Sequence, residues 1–525
     1  METYQLIAKT LPGLEEVLAE ELTELGANDI AIGRRMVSFS GDKEMMYRAN
    51  FCLRTALRIL KCIDSFEAST PDDVYDKIKR VHWEEILDTD MTFAVDTVVF
   101  SEEFRHSKFV AYRVKDAIAD YFRELEDRRP NISLTDPDLR VHLHIADRTC
   151  TLALDSSGES LHLRGYRVAS CQAPINEVLA SGMLKLAGWK GDCDLIDPFC
   201  GSGTIVVEAA LMARGINPGI FRRQYGFERW KDFDRDILDR IYNDDSSERE
   251  FTHKIYAYDI NRPTLAGAES NAKSAGVADA ICFEQKDFRE FTQPEMPAIM
   301  VTNPPYGTRL TPPDLLDLYH AMGERLKHEF KGGDAWIISA KEECFDQIGL
   351  RPSVKYQLFN GSLDCELRKY QMFEGRMENF RMAGGDIKSE SERRRMSEKR
   401  RSRTERPEFS RRRDGEDSEE DEQYRILERK HAEFERNRLY REKGEEKRRR
   451  EEDFRSRERD NRRQSRDNDF RGRGGRNERG GYNERGGFNE RSGRNGGRGG
   501  YGKGGGFSGR KPGGFGGHRT GGRGR

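Results

Sequence analysis

The chain has 525 residues, a formal net charge of −2 and nine cysteines, and it is long enough for several domains. No basic segment followed by an apolar one opens it, and no apolar run approaches the roughly 18 residues of a membrane span, so a soluble cytoplasmic protein is expected. The cysteines (52, 62, 150, 171, 193, 200, 282, 344 and 365) are odd in number and show no Cys-x₂-Cys spacing, which argues for unpaired thiols in a reducing compartment and against a metal centre.

Residues 4–9 read as a strand. Residues 13–25 place Leu14, Val17, Leu18, Leu22 and Leu25 on one helical stripe that Gly26 ends. A helix is expected around Leu53–Leu60, a strand at 91–98, a helix at 110–124 beginning after Lys108, and strands at 139–145 and 150–155. These form a small α+β region without a convincing catalytic set.

Residues 173–188 read as a helix carrying Val178, Leu179, Met183, Leu184 and Leu186 for burial. Strand 194–197, helix 204–214, strand 254–259, helix 263–275, strands 280–283 and 297–301, helix 314–328 and strand 334–339 follow, with an insertion at 216–250 that holds a short helix near 230–241. Such alternation predicts a mostly parallel sheet covered on both faces. Segments 354–359 and 365–370 would close its edge as a hairpin.

Asp197-Pro-Phe-Cys-Gly-Ser-Gly-Thr204 falls where the first of these strands ends, the place where open parallel sheets bind ligands. Gly201 and Gly203 can bring backbone close to a ligand, and Thr204 starts a helix whose N-terminus favours a carboxylate. Asp259 ends the next strand; it is either a solvated or capping acid or, with the glycine turn beside it, an acceptor for both hydroxyls of a ribose. After the third strand, Asp287 and Phe288 either contact and cover an adenine or serve as a helix cap and a core residue. Cys200 has no His or Asp arrangement that would make it a nucleophile.

Asn303-Pro304-Pro305-Tyr306 is the sharpest signal in the chain. The prolines remove two N–H groups, so the Asn303 side-chain oxygen and the Pro304 carbonyl can accept both hydrogens of a planar amino group while Tyr306 offers its ring face to the base. Together with the glycine turn this implies methyl transfer to an exocyclic nitrogen of a nucleobase. The amine of guanine N2 and that of adenine N6, in RNA or DNA, both satisfy the pattern.

Beyond residue 383 the composition changes. Residues 391–470 carry 28 Lys/Arg and 24 Asp/Glu, and residues 471–525 hold 24 of the 51 glycines with 14 basic and 3 acidic side chains, so both stretches are expected to be disordered. Removing their charges of +4 and +11 from −2 leaves −17 on residues 1–390, a body poorly suited to attract nucleic acid except through local basic patches or the tail. A six-residue unit repeats in the tail, bringing Arg476, Arg479, Tyr482, Arg485, Phe488 and Arg491 into a pattern suited to phosphates and stacked bases. A chiefly RNA-binding or annealing protein without catalysis is the competing reading.

At these residues the chain resembles class I S-adenosylmethionine-dependent methyltransferases. It resembles more closely the THUMP-domain RNA guanine-N2 methyltransferases, which include bacterial 23S ribosomal RNA enzymes. The resemblance covers about 1–380 and rests on Gly13-Leu-Glu-Glu, Leu53-Arg-Thr-Ala-Leu-Arg58, Leu163-Arg-Gly-Tyr-Arg167, Ala173-Pro-Ile-Asn-Glu177, the two motifs above, Asp259, Asp287 and Asn360-Gly361. It implies an N-terminal ferredoxin-like part (1–50), a THUMP-like RNA-binding region (51–165), a Rossmann-like α/β methyltransferase domain (166–383), a charged linker (384–470) and an Arg/Gly-rich tail (471–525). It further implies S-adenosylmethionine held by Asn176, Asp197, Phe199, Gly201, Gly203, Thr204, Asp259, Asp287 and Phe288. Guanine would be received by Asn303 to Tyr306, and ribosomal RNA or its precursor, free or in an immature large subunit, held by Arg54, Arg58, Lys108, Arg113 and the tail. Leu163 stands where relatives commonly have Lys, and no second methyltransferase domain is found, so a monofunctional enzyme is expected.

Overall fold

Two sheets organise the chain in the computed structural model, which describes residues 2–104, 106–170, 174–294, 298–306 and 315–372. The first sheet is built from β1 (Tyr4–Lys9), α1 (Glu15–Leu25), β2 (Asn28–Gly33), β3 (Met36–Gly41), α2 (Lys43–Cys52), β4 (Arg58–Glu67), α3 (Pro71–Ile78), β5 (Thr92–Phe100), α4 (Ser107–Glu126), β6 (Asn131–Ile132), β7 (Leu139–Ala146) and β8 (Thr149–Asp155). Its strand order is β2-β3-β1-β4-β8-β7-β5-β6. Alternation sets its faces: Leu139, Val141, Leu143 and Ile145 of β7 are buried with Leu18 and Leu22 of α1, Phe51 of α2, Val74 of α3 and Val114 and Phe122 of α4. Because β4 pairs with both β1 and β8, the sheet runs unbroken across the boundary expected near residue 50.

The helix expected around Leu53–Leu60 does not form. Residue Leu53 is extended, and the Glu21 carboxylate accepts hydrogen bonds from the backbone N–H groups of Arg54 and Thr55 and from the Thr55 hydroxyl. Those backbone donors are thereby taken by a neighbouring helix, and the chain enters β4 instead.

The second sheet follows the expected alternation, with α5 (Glu177–Leu186), β9 (Asp194–Asp197), α6 (Thr204–Ala213), α7 (Arg235–Tyr242), β10 (Ile255–Asp259), α8 (Arg262–Ser274), β11 (Ile281–Gln285), β12 (Ala298–Thr302), α9 (Leu315–Glu329), β13 (Asp334–Ser339), α10 (Glu342–Ile348), β14 (Val354–Asn360) and β15 (Leu363–Gln371). Its order is β11-β10-β9-β12-β13-β15-β14; the first five strands are parallel, and β15 and β14 form the closing antiparallel hairpin. The direction of strand succession reverses between β9 and β12, so the carboxyl ends of these two strands flank the topological switch point.

The insertion after α6 belongs with the first core. Tyr225, Phe227, Trp230, Leu238 and Ile241 are buried there, and the Phe227 ring stacks on Tyr47 of α2 with centroids 4.0 Å apart. Through this segment the region preceding the motifs is fixed to the sheet that carries them. No helix among the described residues is long and apolar enough to cross a membrane.

Candidate active site

Asp197 is the last residue of β9 and is buried. Its Oδ1 accepts from the Phe199 N–H at 3.2 Å and from the Thr302 hydroxyl at 2.7 Å, while its Oδ2 is buried with no partner among the described residues. Burial raises its pKa to about 7, against which these two hydrogen bonds act; the nearby Asp259 raises it further. The glycine turn then folds back, with the Cys200 N–H bonded to the Tyr258 carbonyl and Gly201 and Gly203 at φ of 55° and 83°. A Cβ on Gly203 would lie 2.9 Å from that of Ala268, so α8 packs against the turn at a distance only glycine allows.

Asp259 is joined to the same turn. One of its oxygens accepts from the Gly201 N–H at 3.0 Å, the other from Asn261 N–H at 2.8 Å, which fixes the carboxylate at the end of β10 while leaving lone pairs for further donors. Phe199, whose N–H is held by Asp197, is half-buried and stacks on Phe288, centroids 5.5 Å apart. Phe288 is itself buried and stacks on Phe291, so it is a core residue and Phe199 is the ring nearer the surface. This corrects the expectation that Phe288 covers an adenine. Asp287 caps the short helical turn at 288–290 through the Arg289 N–H and pairs with the Arg289 guanidinium.

At the end of the adjacent β12 stands Asn303, whose Oδ1 is buried and has no hydrogen-bond partner among the described residues. Thr302 immediately before it supplies the hydroxyl bound to Asp197, which ties the two motifs together through a side chain. Pro304 is buried, and the Pro305 carbonyl accepts from the buried Tyr319 hydroxyl of α9 at 3.4 Å. The Tyr306 hydroxyl accepts from the Asn360 amide at 3.0 Å, and burial holds its pKa far above the ordinary tyrosine value.

Neighbouring segments brace the turn. Arg167 pairs with Glu177 and donates to the hydroxyls of Ser202 and Thr204 at 2.9 and 2.8 Å, so the Thr204 side chain is already engaged and Thr204 serves as the start of α6. Asn176 caps α5 by accepting from Val178 N–H at 2.9 Å and Leu179 N–H at 3.4 Å. Asn271 of α8 spans from Val168 and Ala169 to the Ser202 carbonyl. Sequence reasoning had no role for Arg167, Asn271, Thr302 or Tyr319; Arg167 alone carried a signal, as the last member of a motif.

The basic residues expected at RNA divide sharply. Arg54 is buried, donates to the Ile216 carbonyl and fixes the insertion, so it cannot reach a phosphate. Arg58 pairs with buried Asp155 and donates to the Gly158 carbonyl at 2.7 Å, a second structural role. Arg113 pairs with Asp72 and lies 4.4 Å over the Tyr75 ring. Lys108, in the first turn of α4, is exposed. Arg476, Arg479, Tyr482, Arg485, Phe488 and Arg491 lie outside the described residues.

Adjacent strand ends bearing a glycine turn with an acid beside it and an Asn-Pro-Pro-Tyr loop define a class I methyltransferase site. The described residues suit S-adenosylmethionine: a free buried carboxylate oxygen for a cation, an acid for hydroxyls and an aromatic face. Residues 164–369 match the RMKL-like methyltransferase domain, 5–60 the RlmL ferredoxin-like domain and 68–155 the THUMP domain. The chain is 35% identical over 374 residues to the "Putative RNA methyltransferase slr0064" of Synechocystis, covering 71% of this chain and 97% of that protein. It is 38% identical to the ribosomal RNA large subunit methyltransferase K/L of Photobacterium profundum over 71% of this chain and 53% of that protein, so it spans about half that relative's length. The crystal structure of SMU.472, described as a methyltransferase complexed with SAH, superposes with a TM-score of 0.65 at 27% identity, covering 72% of this chain and all of that one. The chain belongs to the THUMP-domain RNA methyltransferases and is a methyl-transfer enzyme that uses S-adenosylmethionine.

Proposed function

We propose that the enzyme methylates the exocyclic N2 of guanine in 23S ribosomal RNA. The observation that carries an exocyclic amine as the acceptor is the buried Oδ1 of Asn303, without a hydrogen-bond partner among the described residues, at the strand end beside the glycine turn; the choice of guanine N2 over adenine N6 rests on the family resemblance. A buried acceptor without a donor costs about 1–3 kcal/mol, a cost that an amino group entering the loop removes. The name of the K/L relative supports large-subunit ribosomal RNA as the substrate.

The donor supplies an electrophilic methyl on a sulfonium. Asp259 and the turn orient it, and Asn303 with the Pro304 carbonyl accepts the two amine hydrogens, since the Pro305 carbonyl is engaged by Tyr319. Tyr306 supports the ring. A guanine amine is weakly nucleophilic because its lone pair is delocalised; holding both hydrogens in place aligns the nitrogen and polarises it, and its proton becomes acidic once the methyl has moved. No strong base is needed.

In this reading residues 1–50 and 51–165 select RNA, 166–383 carry out transfer, 384–470 serve as a linker and 471–525 raise the local RNA concentration. The enzyme is cytoplasmic in this reading. Mass spectrometry of ribosomal RNA nucleosides from a deletion strain tests the function: loss of N2-methylguanosine is expected. Unchanged N2-methylguanosine with loss of N6-methyladenosine would replace it with adenine methylation.

A further inference from the structure

Asn360 lies outside the two motifs, on the last strand of the second sheet, yet it reaches into the acceptor loop. Its amide donates to the Tyr306 hydroxyl at 3.0 Å from the end of β14, and Cys365 Sγ approaches the same hydroxyl at 3.7 Å from β15. The hydroxyl is thus held between both strands of the closing hairpin. The Tyr306 ring is half-buried against the core that contains Leu358 and Cys365, residues directly opposite each other in the hairpin. Gly361 takes a φ of 65° at the turn, which lets the chain reverse immediately after Asn360.

The hairpin is itself seated on the N-terminal region. Gly13, at φ 88°, lies so close to β14 that a Cβ would come within 2.3 Å of the Gln357 carbonyl oxygen and 3.1 Å of a Leu358 methyl. Leu14 and Leu358 are buried in one core. Only two residues separate Gln357 from Asn360. The strand that holds the tyrosine therefore also rests against the region that precedes the RNA-binding domain.

We propose that Asn360 is a positioning residue for methyl transfer: by fixing the Tyr306 hydroxyl it sets the angle of the ring on which the target base stacks, from a strand seated on the N-terminal region. The proposal rests on Tyr306 supporting a base, as in the proposed function, and is independent of which base amine accepts the methyl. An error in ring placement costs rate in the chemical step because the amine no longer lies in line with the methyl, while donor contacts at β9 and β10 are untouched.

A double-mutant cycle on total methyl transfer to precursor ribosomal RNA tests it, using the full chain in single turnover at saturating donor and RNA. Asn360→Ala and the closer-volume Asn360→Leu should each lower the rate at least about tenfold with unchanged affinity for S-adenosylmethionine. In a Tyr306→Phe background, which keeps the ring and removes the hydroxyl, the same substitutions should change the rate less than about twofold. An undiminished loss in that background, a full rate in the single variants, or a fall in donor affinity equal to the fall in rate would overturn the proposal. Nucleoside analysis of the product separately reports whether guanine N2 was methylated, so a wrong acceptor leaves the cycle readable.

Discussion

The first sheet answers the oxygens it buries, while the second leaves several open. Around the first, the Glu21 carboxylate takes three donors from Arg54 and Thr55, and Asn50, Ser156 and Ser157 bond one another and the backbone. Buried side-chain groups left unpartnered in that half, among the described residues, are N–H groups of Arg54, Arg113, Arg222 and Trp230. In the second half they include Asp197 Oδ2 and Asn303 Oδ1 at the carboxyl ends of β9 and β12, and Tyr370 and Gln371 at the opposite end beside the start of β13. Structural networks close on themselves; a site built to receive a cation and an amine keeps acceptors in reserve.

The largest effect expected from breaking this contrast comes where the network of the second half is closed. Glu208 is fully buried, accepts from Tyr166 at 3.0 Å and Ser181 at 2.7 Å, and pairs with buried Arg164. Glu208→Ala strands Arg164 and should cost about 3–5 kcal/mol, read as the shift in urea midpoint. If the variant unfolds at the wild-type midpoint, the network carries no stability.

The open acceptor should behave oppositely. Asp197, at about 7 in the folded protein against an ordinary 3.8, holds its proton more tightly folded than unfolded. Its contribution therefore penalises folding as pH rises from about 4 through 7, by an amount on the order of 4 kcal/mol. His142 in the first sheet, lowered by burial to about 4 from 6.5, penalises folding instead as pH falls through that interval. The two slopes oppose each other over about pH 4–6.5, so without the donor Asp197→Asn should leave a stability that rises with pH across that interval more steeply than in the wild type. Thermal melts from pH 4 to 8 check this; identical slopes between pH 4 and 7 in the two proteins would contradict it.

A smaller effect separates exposed from buried basic residues in the RNA-binding region. Lys108→Ala should weaken RNA binding and reduce the salt slope by about 1, the signature of one phosphate contact. Arg54→Ala should lower stability through its lost bond to the insertion. Binding titrations across salt distinguish the two; a salt slope reduced equally by Arg54→Ala would mean that the buried residue meets RNA.

The chain made most of the second sheet legible because its inner strands centre on short apolar runs and apolar helical segments alternate with them. Strand ends 197 and 259 could be placed from punctuation by Asp, Gly and Pro, and the end at 302 to within one residue of the expected 301. The first sheet was harder to read. β2 has only half-buried and exposed residues, so it lacks alternation, and the Leu53–Leu60 segment lost its backbone donors to Glu21, a partner 33 residues away. Within the site the motif residues were visible, but their braces were not: Thr302 reads as an ordinary strand residue until β9 and β12 are paired, and Phe288 could not be told from Phe199 as the outer ring before they stacked. Arg54 and Arg58 looked like phosphate ligands because charge in a sequence does not reveal its burial.

The division between donor and acceptor halves of the site is tested most directly by calorimetry of S-adenosylmethionine binding to Asn303→Ala and Asp259→Ala. Asn303→Ala should bind the donor with nearly wild-type affinity, because its free oxygen belongs to the amine. Asp259→Ala should bind it at least about tenfold more weakly, through the lost hydroxyl contacts and a loosened Gly201. Equal weakening in both folded variants would contradict the assignment of the two strand ends to different substrates.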